Sequence, residues 1–263
     1  MWQLFRERRR KKILAAVFPS EWEKYIQNNI PYYQHLSNEE KKRLQDLIQI
    51  FIAEKDWLGC GGLELTDEIR VMITAYACLL ILALPNDYYR NVESIYVYPA
   101  TALSPERPRG FFEIPTAPMS GPMPILGEAH YRGPVILVWD VVKREARHPE
   151  HGHNVVYHEF AHKLDMLDGK ADGTPPLTTP EEYQRWIDVC SKVYLELCDK
   201  VEDGKSTFFD SYAATNEAEF FAVVTECFFS KPEGMKQHYP KLYHVLQSFY
   251  RQDPAGKVLA DQH

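Results

Sequence analysis

Residues 154–167 read NVVYHEFAHKLDML and combine a helix start, an apolar face and two histidines. Asn154 is a favourable N-cap and the apolar residues recur at helical spacing, so we expect a helix that begins at the next residue and runs to about Leu167. His158 and His162 are four positions apart and therefore lie one turn apart on one face of this helix. Both imidazoles can reach a single Zn²⁺ ion at about 2.0–2.1 Å. The stretch predicts a helix that holds a metal ion.

Glu159 stands directly after the first histidine of this HExxH pattern. Its carboxylate projects beside the metal rather than onto it, where it can accept a proton from an attacking water molecule. The pattern therefore predicts that Glu159 is the general base of a zinc-dependent hydrolase. The alternative is a helix whose two histidines are core residues bonded to backbone groups. Lys163 follows the second histidine and is expected on the solvent face of the helix.

A catalytic zinc needs a third protein ligand and an open fourth position. Residues 210–229 read DSYAATNEAEFFAVVTECFF and predict a second helix with a strong apolar face, capped by Asp210 or Asn216. It carries three acids: Glu217, Glu219 and Glu226. An acid on such a face is costly to bury without a partner, so a metal is an attractive explanation. The residues alone do not choose among the three carboxylates.

Four more side chains near the motif are candidates for the site. Asp165 is three residues after His162 and faces the metal side of the helix, so we expect it to orient an imidazole, with metal ligation as the lesser alternative. Three histidines precede the helix: His148, His151 and His153. They suggest either a second metal site or, because Pro149 and Gly152 interrupt them, a surface loop; we favour the loop.

The remaining periodicity predicts a mostly helical chain with two strands. Ser37 and Glu40 form a capping-box signature, and Thr66 or Asp67 can cap the next helix. We predict further helices over 37–55, 67–84, 180–199 and 233–250, and strands over 94–98 and 135–139. Between the strands, residues 99–134 contain eight of the chain's 18 prolines. Such a long irregular connection predicts a functional rim or lid.

Composition excludes several classes of function. With 263 residues, 45% hydrophobic and 25% charged, the chain is long and apolar enough to fold around a core. A net charge of −7 argues against a nucleic-acid partner. The apolar run 71–84 is too short to span a membrane, so it predicts a buried helix. The basic residues at 6–12 are expected to be a solvated, frayed terminus.

Localisation follows from the cysteines and the N-terminus. The five cysteines are odd in number and contain no CxxC pair, which indicates free thiols in a reducing compartment. Only residues 13–18 form an apolar stretch after the basic arm, too few for a signal peptide. We therefore expect a cytoplasmic protein.

Three stretches together resemble the Mlc titration factor A family of zinc metallopeptidases: residues 158–165, 210–214 and 218–223. The similarity is best over 96–253, whereas the N-terminal third is similar in layout only. In that family the third zinc ligand is the glutamate of an Ala-Glu-Phe-Ala-like stretch, seven residues after a functional tyrosine, which also resembles anthrax lethal factor. The resemblance thus implies Glu219 as the third ligand and Tyr212 as the tyrosine.

Tyr212 and Glu219 share a face if a single helix begins near Ser211, because they are seven positions apart. The phenol would then reach over the metal and donate a hydrogen bond to the oxyanion of the tetrahedral intermediate. The alternative is a tyrosine that packs at the start of the helix.

The expected fold is α+β with a zincin-like core, in which a small mixed sheet packs on the active-site helix and the N- and C-terminal parts are helical. We expect a helical N-terminal region at 1–90, a catalytic domain at 91–253 and a short tail at 254–263. The resemblance also implies that an extended peptide pairs along the strand 135–139.

Two functions are therefore expected from the resemblance. The first is a peptidase with one Zn²⁺ per chain and a peptide substrate, acting as an aminopeptidase. The second is a regulatory protein that sequesters Mlc, a glucose-responsive transcriptional repressor, with peptidase activity secondary. A non-catalytic zinc protein is a third possibility.

Overall fold

The computed structural model describes residues 2–85, 89–100 and 133–260, so most of the predicted rim at 99–134 lies outside the described residues. The described helices are α1 (Trp2–Leu14), α2 (Ser20–Asn29), α3 (Asn38–Glu54), α4 (Asp67–Leu80), α5 (Trp139–Arg147), α6 (Val155–Asp165), α7 (Pro180–Glu202), α8 (Glu217–Ser230), α9 (Pro232–His238), α10 (Pro240–Tyr250) and α11 (Pro254–Ala260). The described strands are β1 (Asp56–Gly59), β2 (Ser94–Tyr98) and β3 (Val135–Val138).

Side-chain caps begin the helices where the sequence predicts them. The Ser37 hydroxyl accepts the Glu40 amide, and the Glu40 carboxylate accepts the Ser37 amide, which completes the capping box of α3. Thr66 caps α4 and Asn154 caps α6, each through a side-chain oxygen that accepts the amide three residues later. The predicted helix over 233–250 is instead two helices, because Tyr239 precedes a proline and leaves the helical conformation.

The sheet is small, as expected, but it contains one more strand than the sequence predicts and its described strands all run parallel. Its strand order is β1-β2-β3 and both pairings are parallel, with Trp57 opposite Ile95 and Ile95 opposite Val135. The predicted mixed sheet is therefore wrong for the described strands. β2 and β3 confirm the two predicted strands, except that Trp139 begins α5. Among the described strands, β3 forms an edge of the sheet.

Helix α6 packs at the centre, against α4, α8 and β3. The ring of Phe160 lies 4.7 Å from Tyr89 and 5.8 Å from Phe51, between centroids. The expectation that Lys163 faces solvent is wrong, because this side chain is buried and its Nζ donates to the carbonyl of Gly133 at 3.0 Å. The helix that carries the motif is therefore fixed from several sides.

The N-terminal arm is bound rather than frayed. Arg10 donates to both carboxylate oxygens of Glu54 at 2.8 and 2.7 Å, and Arg9 donates to the carbonyl of Ala53 at 2.9 Å. These contacts hold α1 against α3, which corrects the expectation of a frayed terminus, whereas Arg8, Lys11 and Lys12 are exposed to solvent as expected. In the described parts of the chain, no helix combines the length and apolar character needed to cross a bilayer. The domain boundaries at 90 and 253 stay predictions.

Candidate metal centre

Three side chains from α6 and α8 bring their ligand atoms together. The Nε2 atoms of His158 and His162 are 3.2 Å apart. Oε2 of Glu219 lies 3.0 Å from the first and 3.3 Å from the second. Asn216 is the N-cap of α8, because its side-chain oxygen accepts the Glu219 amide at 2.9 Å. This cap fixes where α8 begins and therefore where Glu219 lies. Of the three acids on α8, Glu219 is the one that faces both motif histidines.

The spacing of these atoms suits a tetrahedral metal ion. Ligand atoms bonded at about 2.0–2.1 Å to a tetrahedral zinc lie roughly 3.3 Å from one another. The observed separations are 3.0 to 3.3 Å. The imidazole planes of His158 and His162 meet at 81°, so their in-plane lone pairs can converge on one point. Two imidazoles and one carboxylate also form the donor set of many catalytic zinc sites.

A second carboxylate supports His158 from behind. Oε1 of Glu226 lies 2.8 Å from Nδ1 of His158, and Oε2 accepts the amide of Asn154 at 2.6 Å. Burial alone would lower the pKa of His158, but hydrogen bonds with Glu219 and Glu226 raise it to about 10. The two carboxylates therefore favour a positive charge at this centre. A bound divalent cation supplies that charge when the imidazole of His158 is neutral.

Tyr212 reaches the centre by a different route from the predicted one. Ser211–Ala214 is a separate 3-10 turn capped by Asp210, and α8 begins after Asn216. Asn216 is therefore confirmed as the cap of the helix, and a helix that begins near Ser211 is wrong. The ring of Tyr212 nevertheless lies 6.2 Å from that of His158, between centroids. Burial raises its pKa to about 12, and the charge of Glu219 and a hydrogen bond to it act in the same direction. The phenol is thus protonated near neutral pH and can donate a hydrogen bond.

Glu159 lies on α6 beside the histidines and is partly exposed. Its charge is close enough to both His158 and Tyr212 to raise their pKa values. Within the described residues, no hydrogen bond or ion pair engages this carboxylate. A carboxylate without a partner at the edge of a metal centre can accept a proton from water.

Comparison with known proteins places the chain in a family of metallopeptidases. Residues 4–251 match the model of the glucose-regulated metallo-peptidase M90 family. The chain belongs to this family. It is 35% identical over 249 residues to an uncharacterized protein of Synechocystis sp., covering 94% of this chain and 89% of the relative.

Other relatives of this M90 chain are called Mlc titration factor A. The protein of that name from Klebsiella pneumoniae is 30% identical over 241 residues, covering 90% of this chain and 87% of the relative. The one from Pectobacterium atrosepticum is 32% identical over 233 residues, covering 88% and 86%. These comparisons confirm the family resemblance inferred from the motif.

Asp165 lies near the metal centre of the M90 chain but contacts a loop. One carboxylate oxygen accepts the amide of Gly173 at 3.0 Å, and the other has no hydrogen-bond partner among the described residues. Burial raises its pKa to about 6, a shift that the Gly173 amide and the charge of His162 reduce. The carboxylate that lies against Nδ1 of His158, on the side away from the other ligands, is Glu226. Orientation of an imidazole by Asp165 stays a prediction.

An exposed group of possible ligands lies before α6. His148 Nδ1 is 3.1 Å and His151 Nε2 is 3.8 Å from Oε1 of Glu150. The two imidazoles stack with an angle of 14° between their planes, so their lone pairs run in parallel planes rather than towards one point. His153 instead lies 3.8 Å from Asp210. The buried set on α6 and α8 is the better metal centre.

Proposed function

We propose that this chain is a zinc-dependent peptidase that binds one Zn²⁺ through His158, His162 and Glu219. The observation that supports this most strongly is the convergence of the three ligand atoms at 3.0 to 3.3 Å from one another. Membership of a metallo-peptidase family supports the same reaction class. The proposal includes a zincin-like core, supported by the packing of α6 on β3.

In the proposed reaction, Glu159 accepts a proton and Tyr212 stabilises a negative charge. A zinc ion, when bound, supplies Lewis-acid polarisation and lowers the pKa of water. Glu159 accepts the proton of the attacking water and can return it to the leaving amine. The Tyr212 hydroxyl donates a hydrogen bond to the oxyanion that forms on the scissile carbonyl. Its raised pKa supports this role, because only a protonated phenol is a donor.

The proposed substrate is a peptide that pairs with the edge strand β3. An edge strand presents backbone donors and acceptors that an extended chain can use. β3 packs on α6, which would bring such a peptide close to the metal ligands. We propose cleavage at the amino terminus, for which the support is the family resemblance alone. The proposed compartment is the cytoplasm, supported by five free cysteines.

The test compares Glu219→Ala with Glu217→Ala. Both remove a carboxylate from the first turn of α8, but Glu217 is exposed and is not part of the ligand set. We expect one zinc per chain in the parent and in Glu217→Ala, and loss of zinc in Glu219→Ala. Glu159→Gln should retain zinc and lose hydrolysis of peptide reporters. A parent protein that holds no zinc after reconstitution would rule the peptidase out.

Reporters with free and blocked amino termini test the aminopeptidase proposal separately. If the parent cleaves only the free form, the enzyme removes terminal residues. Equal cleavage of both forms would identify an endopeptidase and leave the zinc centre unaffected.

A second candidate function is regulatory binding of a repressor of the Mlc type. The observation that favours it is the name Mlc titration factor A carried by several relatives. Glu159→Gln separates the two functions, because it should abolish hydrolysis and leave binding at a distant surface intact. Co-purification with an Mlc homologue, measured for the parent and this variant, is the corresponding assay.

A further inference from the structure

A cavity of about 290 Å³ lies at the amino-terminal end of α6, apart from the metal ligands. Four aromatic residues contribute to its wall: Tyr32, Tyr76, Tyr157 and Phe229. Their rings form a continuous cluster, with centroids 5.2 Å apart for Tyr76 and Tyr157, 5.2 Å for Tyr157 and Phe229, and 6.1 Å for Tyr32 and Phe229. The volume is near the lower end of the range for small-molecule sites.

Glu145 is a buried acid in the wall of this cavity. It is 6% exposed, and one carboxylate oxygen accepts the amide of Val155 at 2.6 Å. The other oxygen, like the hydroxyl of Tyr32, has no hydrogen-bond partner in the described parts of the chain. Burial raises the pKa of Glu145 to about 7, because the charged form is poorly solvated. A buried polar group of this kind points to a ligand that compensates it.

The charge of the lining favours a cation over an anion. Among the described residues, the lining includes the carboxylates of Glu145 and Glu150, the imidazoles of His35 and His153, and no lysine or arginine. The start of a helix usually attracts an anion, but Glu145 and Glu226 already accept the amides of Val155 and Asn154 there. Negative charge is therefore present at the wall, and aromatic faces attract cations further.

We infer that this cavity binds a small protonated amine, whose charge is balanced by Glu145 and whose body packs on the aromatic cluster. Neither the metal ligands nor the proposed catalytic residues form part of this site. It is therefore independent of the proposed peptidase activity. Glu145 accepts the amide of Val155, and Glu226, which contacts His158, accepts the amide of the preceding residue, Asn154. The site therefore lies beside the metal centre without overlapping it.

The experiment uses full-length protein, with and without added zinc, and three probes of similar shape. These are benzylamine, the neutral benzyl alcohol and the anionic benzoate, titrated by calorimetry at low millimolar concentrations. We expect benzylamine to bind roughly tenfold or more tightly than the alcohol, and benzoate to bind least. Glu145→Gln should remove this preference. Glu196→Gln, a matched change on the exposed face of α7, should keep it.

Three results would overturn the proposal: no saturable benzylamine binding, equal affinity for the amine and the alcohol, or a preference that survives Glu145→Gln. The comparison of the three probes in the parent protein needs no variant, so it remains decisive if Glu145→Gln does not fold. The titrations do not depend on hydrolysis, so the affinities for the three probes can be interpreted even if the protein is not a peptidase.

Discussion

His158 and Glu226 form a buried pair in which the imidazole Nδ1 lies 2.8 Å from the carboxylate. A carboxylate can only accept, so Nδ1 carries a hydrogen, which leaves Nε2 as the nitrogen that would bind a metal. The same carboxylate holds the amide of Asn154, the N-cap of α6. One side chain thus fixes both the tautomer of a ligand and the start of the helix that carries it.

We predict that Glu226→Gln lowers zinc affinity by about 10- to 100-fold. His158 and Asn154 face different oxygens of Glu226, so the one amide oxygen of glutamine can replace only one of these acceptors. The lost negative charge also makes the imidazole a weaker ligand. Zinc affinity is measured by competition with a chromogenic chelator. Glu217→Gln, an exposed change on the same helix, is the control and should match the parent. Equal affinities in both variants would show that this pair does not support the metal.

We predict that Tyr212→Phe lowers kcat by about 10²-fold with little change in zinc content. The variant keeps the ring beside His158 and removes only the hydroxyl donor. Steady-state hydrolysis and metal analysis of the same preparation provide both quantities. Tyr183→Phe removes an exposed hydroxyl from α7 and should behave as the parent. A fully active Tyr212→Phe would leave Tyr212 with a packing role.

The motif predicted the α6 ligands, because their relation depends on helix geometry alone. Glu219 and Glu226 could not be told apart in this way, since both are acids seven positions apart on one apolar helix. Their different roles depend on how α8 packs against α6, which places Glu219 towards both Nε2 atoms and Glu226 towards Nδ1. Local periodicity contains no information on that packing.

The sheet and Tyr212 show two other limits. β1 reads Asp-Trp-Leu-Gly, is half exposed and is held by pairing with β2, so its short sequence lacks a strand pattern. Tyr212 was expected on the same helix as Glu219, yet Asn216 caps α8 and separates the two. Both Asp210 and Asn216 were recognised as possible caps. The sequence did not show that both are used, one for each of two short elements.

Gly173 connects the loop after α6 to the start of α8. Its φ is +73°, its amide donates to Asp165, and an added Cβ would clash with the carbonyl of Glu217. We predict that Gly173→Ala destabilises the fold by at least about 1 kcal/mol more than Gly62→Ala. Gly62 has a φ of +80° and open space around it, so the two variants share the backbone strain and differ in the clash.

Denaturant unfolding measures that difference in stability. Competition with a chelator should show weaker zinc binding only in Gly173→Ala, because relief of the clash moves the backbone at Glu217, two residues before Glu219. Equal losses of stability would mean that the backbone conformation alone accounts for both glycines.

The last prediction concerns Glu145 and pH. Burial raises its pKa in the folded protein to about 7 from 4.5, although the Val155 amide opposes this shift and the charge of Glu226 adds to it. Between these two values the folded state binds more protons than the unfolded state, so the contribution of Glu145 to stability falls as pH rises through that window. The loss is complete above about pH 7 and is on the order of 3 kcal/mol.

Glutamine at this position keeps an oxygen for the Val155 amide and does not titrate. We therefore predict that the unfolding free energy of Glu145→Gln, relative to the parent, increases between about pH 5 and about pH 8. Both proteins are measured with a chelator present, so metal binding does not contribute to the difference. If the Glu145→Gln difference is instead constant with pH, burial does not shift the ionisation of this carboxyl in the folded protein.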